Sequence, residues 1–135
     1  MEKIRIEKTT QPKQKCDVSK IGFGTAFSDH MFIMDYEKEK GWYDPRIVPF
    51  GPFTISPAAT VLHYAPEIFE GMKAYRTPDG KIQLFRPTEN IKRMNISAER
   101  MCLPQIEEEI MMEALREIVK VDRDWVPSDP DTSLY

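Results

Sequence analysis

At 135 residues the chain is long enough for one domain with a real core, burying about two-thirds of the surface its unfolded form exposes. Apolar residues at 41% and charged ones at 30% exclude a disordered tail, and 19 basic against 22 acidic side chains leave a net charge of −3. That balance gives no general field for holding nucleic acid or acidic lipid, and no apolar run approaches the roughly 20 residues that span a bilayer.

Residues 1–20 are polar and read as an arm that either pairs as an edge strand or frays. Cys16 and Cys102 lie far apart with no secretory leader, which reads as two reduced thiols in a cytoplasmic protein. The run Met31-Phe32-Ile33-Met34-Asp35-Tyr36 has strand character, a charged turn follows at residues 37–41, and residues 42–50 return as a second strand. Pro45 and Pro49 place that return at a sheet edge or give it an irregular end. Residues 51–60, with Pro52 and Pro57, form a loop.

A second hairpin is predicted over residues 71–76 and 81–86. Its turn is Thr77-Pro78-Asp79-Gly80, where proline presets φ, aspartate bonds nearby backbone and glycine accepts the left-handed position. A helix follows with Thr88 as its N-cap and Ile91, Met94, Ala98 and Met101 at helical spacing, and Pro104 ends it. A second helix carries Glu107, Glu108 and Glu109 in its first turn, where the dipole favours negative charge, and a stripe of Ile110, Ala114, Leu115, Ile118 and Val119. Residues 132–135 begin a further strand. Strands followed by helices without a βαβ rhythm predict an α+β fold, an antiparallel sheet with hairpins packed by two main helices.

Candidate chemistry centres on Arg86, a guanidinium at a strand end just before a helix start, where free backbone N–H groups and the positive dipole end suit a phosphate. Taken alone it reads as a surface ion pair, and Tyr64 and Phe69 taken alone read as core. His30 and His63 are the only histidines and lack cysteine or aspartate at metal-ligand spacing, so no metal site is expected. Gly-rich phosphate loops, the G-x-S-x-G elbow and the dinucleotide fingerprint are all missing from the sequence.

In order and spacing, however, several stretches together resemble the branched-chain amino acid aminotransferases, pyridoxal-phosphate enzymes of fold type IV. They are Phe23-Gly24-Thr25-Ala26-Phe27-Ser28-Asp29-His30-Met31, Leu62-His63-Tyr64, Phe69-Glu70-Gly71-Met72-Lys73-Ala74-Tyr75, Leu84-Phe85-Arg86-Pro87, Asn90-Ile91-Lys92-Arg93-Met94, Asp122 through Trp125-Val126-Pro127, and Ser133-Leu134-Tyr135. The resemblance implies that the chain is the N-terminal small domain, with a larger domain carrying the Schiff-base lysine expected after residue 135. It implies that Arg86 binds the phosphate of pyridoxal phosphate and that Tyr64, Phe69, Phe23 and Tyr135 face the substrate side chain. It further implies transfer of an amino group between Leu, Ile or Val and 2-oxoglutarate, branched-chain amino acids and 2-oxo acids as partners, and a homodimer when full-length. No lysine here takes the catalytic role, Lys73 included, so the isolated chain is expected to be inactive. Two alternatives stay open: a stand-alone interaction domain on the same fold, or another fold-type-IV enzyme such as a D-amino acid transaminase or an aminodeoxychorismate lyase.

Overall fold

A computed structural model describes residues 3–135, so the first two residues of the predicted arm lie outside the described residues. Three strands form the first sheet: β1 (Arg5–Ile6), β2 (His30–Glu37) and β3 (Gly41–Pro49). Their order is β1-β3-β2, with β2 and β3 antiparallel and β1 parallel to β3 through Arg5 opposite Arg46 and Ile6 opposite Ile47. The segment from Ile4 onward therefore takes the pairing option, and Ile4 is core rather than arm.

Of the two alternatives for β3, that pairing overturns the sheet edge, because β3 is the central strand despite two prolines. Pro45 escapes the ladder because it sits in a bulge: Asp44 and Pro45 together oppose the single residue Met34, and Asp44 turns left-handed at φ 49°. Pro49 is the last residue of the strand. The hairpin closes at Gly41, whose φ of 74° suits a residue without Cβ, and Tyr36 and Trp42 meet edge-to-face across it at 5.1 Å.

Helix α1 (Val61–Tyr64) is a single turn ended by Ala65 in the left-handed region. A second, two-stranded antiparallel sheet follows, β4 (Ala74–Arg76) and β5 (Ile82–Leu84), around the expected turn with Gly80 at φ 78°. Helix α2 (Pro87–Arg100) starts two residues earlier than expected, with Arg86 rather than Thr88 as N-cap and Pro87 at the first helical position; Thr88 is already inside. It also stops before Pro104. Cys102, at φ 55°, and Leu103 return their N–H groups to the carbonyls of Glu99 and Ala98, a Schellman closure with cysteine where glycine is usual. Helix α3 (Glu108–Val121) carries the expected stripe.

Ile4, Ile47 and Ala114 form the core, with Phe32, Ile118 and Val121 packed on it, so α3 lies against the first sheet. Complete burial of Ile47 contributes on the order of 1.5–3 kcal/mol. Asn95 joins the helices by bonding both the N–H and the carbonyl of Ile106. In place of the expected strand start at residues 132–135 there is an isolated antiparallel bridge between Leu134 and Ala74, and Arg76 donates to the carbonyls of Arg123 and Val126. The architecture is α+β, small sheets packed by two main helices.

Candidate functional site

The junction between β5 and α2 presents Arg86 in a left-handed conformation, φ 46° and ψ 49°, which costs a non-glycine residue about 1–2 kcal/mol. Its side chain is 68% exposed, and its nearest acid is Glu89 at 4.0 Å. A helix N-terminus and a largely uncompensated guanidinium thus share one corner. That is an arrangement able to receive a phosphate, although Glu89 must swing aside to admit one.

The segment before β4 is fixed from below. Glu70 receives both Nε and Nη2 of Arg93, the Asn90 amide at 3.1 Å and the Gly71 N–H at 3.0 Å, while Asn90 also donates to the Gly71 carbonyl at 2.8 Å. The Arg93 guanidinium, opposed by burial and helped by Asn90, holds the Glu70 carboxyl below its usual value. Pinning Glu70 onto α2 sends its neighbour outward, and Phe69 is 89% exposed. Tyr64, at the end of α1, is 82% exposed. The reading of these two as core is therefore wrong, and neither stacks on another ring among the described residues.

Phe23 and Tyr135 do come together, edge-to-face at 4.8 Å, from opposite ends of the chain. They border a cleft of about 550 Å³ that Phe27, Trp125 and the Lys15-Cys16-Asp17 segment complete. Asp29 holds that wall in place: it accepts from the Lys13 N–H and from the Trp125 indole, each at 2.9 Å, with Lys15 at 3.7 Å. Burial raises the Asp29 pKa, and these donors together bring it below the ordinary carboxylate value. Next to it, His30 Nδ1 lies 2.6 Å from Asp122, whose second oxygen accepts the His30 N–H at 3.0 Å. Since the Thr9 N–H donates to His30 Nε2 at 2.9 Å, Nδ1 carries the proton and is the donor to Asp122.

The five expected site residues are thus divided. Phe23 and Tyr135 share a cleft wall, whereas Tyr64, Phe69 and Arg86 stand exposed and border neither that cleft nor the smaller cavity between α3 and the β4–β5 hairpin. Sequence reasoning quoted Glu70, Asn90, Arg93, His30 and Asp122 without giving them roles. Partners 20 to 92 residues apart carry no local signal beyond the residue types themselves.

No family model matches the chain. Over 132 residues it is 52% identical to the branched-chain-amino-acid transaminase 1 of Bacillus subtilis (strain 168), a match taking in 98% of this chain and 37% of that protein. The chain is homologous to the branched-chain-amino-acid aminotransferases. The second such enzyme of Bacillus subtilis is 50% identical with 98% and 36% covered, and the mitochondrial branched-chain-amino-acid aminotransferase of Bos taurus is 45% identical with 98% and 34% covered. The chain therefore spans about a third of the length of the curated aminotransferases it matches. Because the match takes in nearly every residue, it includes the hairpin and both long helices.

Proposed function

We propose that the chain is the N-terminal part of an aminotransferase that moves an amino group between Leu, Ile or Val and 2-oxoglutarate with pyridoxal phosphate. The observation that carries this reading is the near-complete coverage of the chain by proteins named branched-chain-amino-acid aminotransferases or transaminases, at identities of 45–52%. Apolar aromatic surface supports the substrate class, because Phe23 and Tyr135 already form an edge-to-face wall that favours aliphatic side chains through burial.

Only the phosphate end of the cofactor finds a fitting partner among these residues. Arg86 would bind the phosphate with the N-terminus of α2 beside it. When bound, the cofactor supplies the electron sink and amino-group carrier that amino-acid side chains lack. Tyr64 and Phe69, held outward by the Glu70 anchorage, would close over the substrate side chain and exclude water once a further surface meets them. Lys73 is given no catalytic role, so the 135-residue chain by itself is proposed to be inactive and its catalytic lysine to lie in further sequence.

Soluble, cytoplasmic, homodimeric behaviour of the whole protein belongs to the same proposal. No helix among the described residues is long and apolar enough to cross a membrane. A second reading, an interaction domain, draws on the exposure of Phe69, Tyr64 and Phe85 together. Expressing the whole coding sequence and assaying Leu, Ile, Val and D-Ala with 2-oxoglutarate decides among these readings. Turnover confined to the branched L-amino acids is expected; turnover of D-Ala alone, or of none, overturns the proposal.

A further inference from the structure

Residues 8–12 cross the surface between two firm attachments. On one side the Glu7 N–H bonds the Ile47 carbonyl at 2.9 Å, extending the β1–β3 pairing. On the other the Lys13 N–H bonds the Asp29 carboxylate at 2.9 Å, and the Lys13 ammonium reaches the carbonyls of Phe27 and Ser28. Between them Lys8, Thr10, Gln11 and Pro12 are exposed and only Thr9 is half-buried. Among the described residues, one hydrogen bond joins this segment to the rest of the fold: the Thr9 N–H donates to His30 Nε2 at 2.9 Å, whereas the Gln11 N–H only returns to the Thr9 hydroxyl. A segment with so little buried surface opens readily once that bond is lost.

His30 decides when the bond exists. Its Nδ1–H donates to Asp122, so the neutral ring offers the Nε2 lone pair to Thr9; a proton on Nε2 turns that acceptor into a donor aimed at the Thr9 N–H. The bond to Asp122 uses Nδ1–H in either state and survives the proton. Charges around the ring accommodate it as well. Asp122, at the end of α3, touches the ring, and Asp29 precedes it in the chain. The Lys13 ammonium is turned to the Phe27 and Ser28 carbonyls, and Lys15 lies 3.7 Å from Asp29. Exposed Lys73 and Tyr135 border the smaller cavity that His30 also borders, where α3 adds only Leu115, Ile118 and Val119 besides Asp122, and β3 sets Pro49 opposite His30.

We propose that residues 8–12 form an acid-released strap, docked while His30 is neutral and freed when a proton occupies its Nε2. The released state holds one more proton than the docked state, so docking is complete at high pH and is lost as pH falls through the titration of the ring. Burial raises the Asp29 carboxyl, but the Lys13 N–H and the Trp125 indole hold it below its ordinary value, so it stays ionised and keeps Lys13 attached. Opening therefore stops at Glu7 and Lys13. It admits water to the buried His30–Asp122 pair and leaves the Lys15-Cys16-Asp17 wall of the larger cleft in place. None of this depends on transamination.

Hydrogen-exchange mass spectrometry of the whole protein, resolved to single amides and corrected for the intrinsic exchange rate at each pH, tests the strap between about pH 8 and 5, where imidazoles ordinarily titrate. Protection of the Thr9 amide should hold at the alkaline end and fall by up to about tenfold per pH unit below the transition, with Glu7 and Lys13 protected throughout. His30→Gln removes the titrating ring, and Thr9 protection in that variant should not vary with pH. Asp122→Asn keeps the ring but withdraws the carboxylate that compensates an imidazolium, and should move the transition toward acid by roughly one pH unit. That variant decides the matter if His30→Gln does not fold. Thr9 protection constant across the range, equal losses at Glu7 and Lys13, a pH dependence retained by His30→Gln, or a transition unmoved in Asp122→Asn would each overturn the proposal.

Discussion

The Tyr135 hydroxyl lies so close over Gly71 that a Cβ built on that glycine would sit 2.6 Å from it and 2.9 Å from the ring carbon Cε2. Glycine is needed there for space, since the residue is not in the left-handed region. Its position follows from its neighbour, because Glu70, locked to Arg93 and Asn90, sets where the Gly71 backbone runs. One glycine thus connects the Glu70 anchorage to a residue that borders both cavities.

Gly71→Ala should therefore move Tyr135 rather than unfold the chain. The tyrosine is more than half exposed and can swing away, so the stability change should stay within about 1 kcal/mol. Loss of the Phe23–Tyr135 ring contact should appear as changed aromatic NMR shifts at both rings. In the full-length protein, KM for leucine should rise more than kcat falls. Unmoved Tyr135 resonances would show that the glycine is not setting its position.

Asp122 supports the opposite wall through two buried bonds to His30, one from the backbone N–H and one from the ring. Asp122→Ala leaves both donors buried without acceptors and should cost about 3 kcal/mol in urea unfolding. Asp122→Asn keeps one carbonyl oxygen and should cost less. Equal losses for the two variants would mean that packing, not hydrogen bonding, is the source.

What local chemistry governs was legible in the sequence; what distant pairing governs was not. The turn at Pro78-Asp79-Gly80 and the apolar stripe of α3 follow from spacing within one element, and both stand where expected. The centrality of β3 depended on β1 pairing in parallel beyond a bulge, and a proline rule applied to β3 alone gives the wrong edge. Aromatics carry a similar ambiguity, since Tyr64 and Phe69 have the composition of core residues and owe their exposure to the anchorage of Glu70. The His30–Asp122 bond joins residues 92 apart and has no local spacing to reveal it.

Acid should weaken the fold through Glu70 and Asp29. Both carboxyls are held below their ordinary values in the folded state, so each contributes stability that is fully present above the unfolded carboxylate pKa of about 4. That contribution is lost as pH falls through the lower folded value. The urea midpoint should hold from pH 8 to about 5 and then decline. Replacing Glu70 with Gln and Asp29 with Asn together should lower the neutral midpoint and flatten the acid decline. An acid slope unchanged by the double replacement would place the titrating groups elsewhere.

Two arginines compete for the proposed phosphate, and their surroundings differ. Arg93 is committed to Glu70 by a two-pronged contact, whereas Arg86 has only Glu89 at 4.0 Å and stands at the N-terminus of α2. A guanidinium already paired with a carboxylate must give up that partner or share it before it can hold an anion, so Arg86 should be the stronger ligand. In the full-length protein, Arg86→Met should weaken pyridoxal phosphate binding at least tenfold, and the free phosphate ion should compete at that site in the unaltered protein but not in the variant. Arg93→Met should act mainly by releasing Glu70, lowering thermal stability and freeing Phe69. Cofactor affinity lost in Arg93→Met at unchanged stability, with Arg86→Met unaffected, would transfer the phosphate to Arg93 and make Glu70 the residue that orients it.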